Sequence, residues 1–130
     1  MLASGNMSSW HFAHESGPLT GDSAAARLRE RAAAGELETW LRHDDGRVLG
    51  VVTNGTRAMV VAMDEPGDPG RHAVDPGAKG DQGGYRLGNG QVDRYDNSET
   101  VPFGAALDVV RELIDHNRWP ATVAWQDDRG

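Results

Sequence analysis

The densest set of chemically capable side chains lies in "GYRLGNGQVDRYDNSETVPFGAA", residues 84–106. Asp93, Asp96 and Glu99 stand close together there, with Arg86 and Arg94 among them and Asp108 just beyond. Carboxylates so near one another can hold a cation, act as an acid–base pair, or present an anionic surface to a basic partner. A second set, Asp64, Glu65 and Asp68, falls in "DEPGD", and a third, His11, His14 and Glu15, in "HFAHE".

Spacing and context narrow these options. Two histidines three apart differ from the zincin pattern, in which they are four apart around a glutamate. Their surroundings read as extended, so incidental histidines in a leader are expected and no metal ligand is assigned. His43 and His72 sit in unrelated contexts, before a turn and in a long loop. The adjacent pairs Asp64/Glu65 and Asp127/Asp128 fall in a loop and a tail, where solvent keeps both members ionised and unsuited to proton transfer. There is no cysteine, hence no disulfide framework and no thiolate zinc site. "GNMSSW" and "NGTRA" lack the strand–elbow–helix setting of a nucleophilic serine. "GNGQ" lacks the later glycine, the lysine and the following helix of a phosphate loop. The residues therefore predict no catalytic or cofactor-binding group, and the chain is read as a non-enzyme that needs no cofactor. Tyr95, an aromatic ringed by acids, reads instead as the anchor of a protein-binding surface.

Charge favours that reading. The chain of 130 residues carries a net −7, with one lysine, Lys79, against twelve arginines. Residues 1–63 hold 7 acids and 6 bases, and residues 64–130 hold 13 acids and 7 bases, so nearly all the excess lies in the second part. Such a field repels nucleic acid and anionic membranes and attracts basic partners. No segment approaches the ~18 apolar residues of a membrane helix. The first residues have neither the basic nor the apolar region of a signal peptide, so a cytoplasmic location is expected.

The elements that must position these groups follow from periodicity. Residues 1–21 are read as a poorly ordered leader or a short first strand, with Trp10 and Phe12 on one side. Residues 22–126 form one domain and residues 127–130 a tail. "GDSAAARLRERAAAG" predicts a helix capped by Asp22 or Ser23 and stopped by Gly35. "ELETWLRHDDGRVLGVVTNGTRAMVVAM" predicts three antiparallel strands, about 36–43, 47–53 and 57–63, turning at Asp45-Gly46 and Asn54-Gly55. The third is apolar on both faces, so a central strand covered on both sides is expected. Residues 64–84 predict a long Gly/Pro/Asp loop, and "YRLGNGQVDRY" a hairpin around Asn89-Gly90. "TVPFGAALDVVRELIDHN" predicts a helix with Thr100 as cap and a stripe of Phe103, Leu107, Val110, Leu113 and Ile114. "ATVAW" closes as a strand, and Trp40, Phe103 and Trp125 are expected in the core. The fold class is α+β: a mostly antiparallel sheet of about five or six strands with two helices on one face.

The run "LGNGQVDRYDNSETVPFGAALDVVRELIDHNRWPATVAW", Leu87 to Trp125, resembles the C-terminal half of a bacterial immunity-protein family encoded beside polymorphic toxins. "GRVLGVVTNGTRAMVVAM" resembles that family's central hairpin, and the likeness spans about 36–125. It implies a protein that binds and neutralises a cognate secreted toxin domain, usually deaminase-type, without catalysis. Asp64, Glu65, Asp68, Asp93, Tyr95, Asp96 and Glu99 are the residues expected to meet the basic cleft of such a toxin. Monomer or weak homodimer is expected. The alternative is a small ligand-binding or enzymatic domain with its site under the 64–84 loop.

Overall fold

Three tight turns set the register of the middle of the chain, and in each the work is divided between two residues. Positive φ is taken by the glycine, at Gly46 (103°), Gly55 (93°) and Gly90 (92°). The residue before it acts through its side chain. Asp45 Oδ1 accepts from Arg47 N, Asn54 Oδ1 from Thr56 N and Arg57 N, and Asn89 Oδ1 from Gln91 N, all at 2.8–3.0 Å. These are Asx turns, which explains why the sequence needs both residue types at each corner.

The computed structural model describes residues 10–13, 15 and 17–128. The strands are β1 (Trp10–Phe12), β2 (Glu38–His43), β3 (Val48–Thr53), β4 (Arg57–Met63), β5 (Arg71–Val74), β6 (Asp81–Arg86), β7 (Val92–Asp96), β8 (Val101–Pro102) and β9 (Ala124–Asp127). The helices are α1 (Gly21–Ala33) and α2 (Phe103–His116), with a 3-10 turn at Asn97–Glu99. Seven strands make one antiparallel sheet, in the order β1-β2-β3-β4-β5-β9, with β8 beside the first residues of β4. β6 and β7 form a separate two-stranded hairpin. The fold is α+β, as the periodicity predicts.

Alternation assigns the two faces of the sheet. Leu41, Leu49, Val51, Ala58, Val60, Ala62 and Ala73 point inward, where they join Ala24, Ala25 and Leu28 of α1. The same core takes Ala106, Leu107, Val109, Val110, Leu113 and Ile114 from α2. The burial of each large member is worth roughly 1.5–3 kcal/mol. Trp10 and Phe12, 2% and 1% exposed, close the β1 side of this core.

Several expectations need correction. Helix α1 is capped by Thr20, not Asp22 or Ser23; Ser23 instead bonds back to the Thr20 backbone and completes a capping box. Gly35 does end it, at φ 83°. Thr100 is not the cap of α2, which starts after Pro102 without a side-chain cap. Thr100 is consumed elsewhere, fully buried and bonded to Arg57. Asn117 ends α2 in the left-handed conformation, φ 52°. Strand β4 is central, fully covered on the helix side and only partly covered on the other, where Met59, Val61 and Met63 remain half-buried. Residues 64–84 are not one loop, because β5 and the start of β6 lie within them. Asp127 ends β9 and Asp128 follows it directly, so the ordered domain reaches beyond residue 126.

Candidate functional site: the uncovered face of the sheet

The strand register aligns Trp40, Gly50, Val61, His72 and Gln126 in one row across β2, β3, β4, β5 and β9. Trp40 is a correction: it lies on this outer face, half-buried, and not in the core. Its ring sits directly over Gly50, where a β-carbon would come within 2.5 Å of Cζ3. Its indole Nε1 donates to Glu38 Oε2 at 2.8 Å. The flanking rows are Arg42–Val48–Met63 and Glu38–Val52–Met59. Trp40, Met59, Val61 and Met63 thus form a half-exposed apolar floor on the side away from the helices.

The β6–β7 hairpin leans over one end of that floor. Asn54 Nδ2 donates to Gln82 Oε1 and to the Gly83 carbonyl, at 2.9 and 3.1 Å. Gly88 N donates to the other oxygen of Glu38, at 2.6 Å. Tyr85 is fully buried beneath the hairpin, its ring 4.7 Å from that of Tyr95. Tyr95 is half-buried and donates to Asp93 Oδ2 at 2.8 Å. Its phenol is pushed up to about 12 by burial first, then by Asp93, with Tyr85 and Glu38 adding to it.

At the β9 side of the central row His72 is held between two carboxylates. Its Nδ1 lies 2.8 Å from Asp128 Oδ2 and its Nε2 3.3 Å from Glu99 Oε2. Burial opposes the imidazolium, but hydrogen bonds and charge from Asp128 and Glu99 outweigh it and raise His72 above its ordinary value. The two carboxylates meet opposite ends of the ring, so the trio is a clasp and not a chelate. Sequence reasoning missed it twice, by placing His72 in a loop and Asp128 in a tail. Only the β5–β9 pairing, which joins residues fifty or more positions apart, brings them together.

Arg57 fixes the joint that carries Glu99. Its guanidinium donates to Asp75 Oδ2, Thr100 Oγ1 and the carbonyls of Asn97 and Thr100, at 2.8–3.1 Å.

The expected site residues separate into three groups. Glu99 joins the His72 clasp. Asp93 and Tyr95 pair on β7, with Asp96 exposed at its end. Asp64, Glu65 and Asp68 occupy the β4–β5 turn, where Asp64 N donates to Asp68 Oδ2 at 3.1 Å and Arg71 faces Asp64. In the "HFAHE" segment, His14 lies outside the described residues; Glu15 pairs with Arg27 and His11 faces Asp44. Among the described residues no cluster of three or more metal-ligating side chains occurs, and no helix is long and apolar enough to cross a membrane. Hollows lie away from 64–84. One of about 260 Å³ is lined by Arg31, Glu36, Glu38 and Arg86. Another, about 600 Å³, runs between α2 and residues 118–122. Comparison of the chain with protein-family models, curated proteins and solved structures finds no match.

Proposed function

We propose that this chain is a neutralising protein that binds a basic protein partner, a secreted toxin domain in the immunity-family reading, and works by occupation and not by chemistry. One observation carries the proposal. Among the described residues Asp93, Asp96, Glu99 and Asp128 have no arginine or lysine partner. Meanwhile Arg71, Arg94, Arg111 and Arg118 are committed to Asp64, Asp81, Asp22 with Asp108, and Glu112. These four carboxylates lie on β7, the 3-10 turn and the residue after β9.

Carboxylates without a guanidinium or ammonium partner, held on rigid elements, steer a cationic partner and prolong its stay. A toxin domain that acts on nucleic acid or nucleotides needs a basic cleft for its substrate, and such a cleft complements this surface. In this reading the protein acts in the cytoplasm of the cell it protects. The test is co-expression with the toxin domain encoded beside it: growth is restored and the two chains co-purify. A toxin that still kills, with no complex recovered, overturns the proposal.

A further inference from the structure

We infer that the partner docks on the uncovered face of the sheet, setting apolar groups against Trp40, Val61 and Met63 and arginine or lysine side chains against Glu99 and Asp128. This rests on the neutralisation reading and goes beyond it by naming the face and the chemistry of what fills it.

The face has the anatomy of an interface centre. Its floor is apolar, with Val48 and Val52 buried and Trp40, Met59, Val61 and Met63 half-exposed, while β4 buries its other side completely against the helices. Its one large aromatic is held in place before any partner arrives, stacked over Gly50 and tethered by Glu38. Fixed aromatics lose little entropy on binding and dominate interface energies.

Charge selects the occupant. Glu99 and Asp128 approach the row from different elements and, among the described residues, are answered by the His72 imidazole alone. An incoming guanidinium or ammonium finds two carboxylates already oriented, and charge-assisted bonds of that kind are roughly twice as strong as neutral ones. Nucleic acid would be repelled by the same groups. A second copy of this chain, itself of net charge −7, is disfavoured as well by like-charge repulsion.

The experiment uses the toxin domain as the probe and measures its affinity calorimetrically. Trp40→Ala is expected to weaken binding at least ~10-fold. The double variant Glu99→Gln with Asp128→Asn, conservative in shape and checked for folding by circular dichroism, is expected to weaken it about 10-fold and flatten its salt dependence. Arg29→Ala with Glu30→Ala, exposed on α1, serves as the control and should bind normally. Full affinity in both test variants overturns the docking face but leaves the neutralisation reading standing. No complex with the unaltered protein overturns both. Self-association of the unaltered protein that Trp40→Ala abolishes overturns the choice of occupant.

Discussion

The imidazole of His72 lies 2.8 Å from the carboxylate of Asp128, and this contact ties β5 to the residue that follows β9. With Glu99 at its other nitrogen, the ring joins three segments distant in sequence.

The clasp makes stability depend on pH with a definite sign. His72 is raised in the folded chain from the ordinary 6.5, so the folded state binds its proton more tightly than the unfolded one. The stabilisation is complete below about pH 6.5 and is lost as pH rises through the raised folded value. Glu99 is half exposed, so solvent screening holds the effect to about 1 kcal/mol or less. His72→Gln should therefore melt about 3 °C below the parent near pH 6, with the gap closing at higher pH. Equal melting near pH 6 would refute the clasp.

The sequence made local features legible where one short signal decided the outcome. Asp45-Gly46, Asn54-Gly55 and Asn89-Gly90 marked their corners because each pair supplies a capping side chain and a positive-φ residue. The α2 stripe was readable for the same reason, since Leu107, Val110, Leu113 and Ile114 face one way at helical spacing. What failed depended on distant partners. Thr100 has the composition of a cap, yet Arg57, forty-three residues earlier, claims its hydroxyl. Trp40 alternates like a core residue, but alternation does not say which face the helices cover. The His72 clasp carries no local signal at all.

Arg57 should prove the most sensitive charged position. Its side chain is 13% exposed and satisfies Asp75 together with three acceptors around Thr100. Arg57→Ala leaves those acceptors unpaired and Asp75 without its cation. Asp75 is partly solvated, so the expected cost is about 2–3 kcal/mol, below that of a fully buried pair. Urea denaturation measures it, and Arg57→Lys should recover only part because one ammonium cannot reproduce the fork. A loss under about 0.5 kcal/mol, the level of an ordinary surface substitution, would contradict this role.

Gly50 is needed for its missing side chain. A methyl there meets Trp40 Cζ3 at 2.5 Å, so the indole must lift from the sheet or the strands must part. Gly50→Ala should cost about 1–3 kcal/mol, as overpacking does. It should also free the ring, breaking the Nε1 bond to Glu38 and shifting the tryptophan emission to longer wavelength. If both stability and emission are unchanged, the stacking does not hold Trp40.

Alkaline titration tests the packing of the β6–β7 hairpin. The chain has two tyrosines. Burial raises Tyr85, with Thr100 and Arg57 opposing it, and burial with Asp93 raises Tyr95 to about 12. For both groups the neutral form is favoured by folding, so their contribution is complete below pH 10 and fades as pH rises through the folded values. Tyrosinate absorbance at pH 10 should fall below the half ionisation of free phenols and rise at higher pH. Asp93→Asn should lower the Tyr95 value without restoring it to 10, because burial is the larger cause and remains. Half-ionisation at pH 10 in the folded protein would mean that the hairpin does not cover these rings, leaving the sheet's outer face more open than the contacts of Glu38 and Asn54 imply.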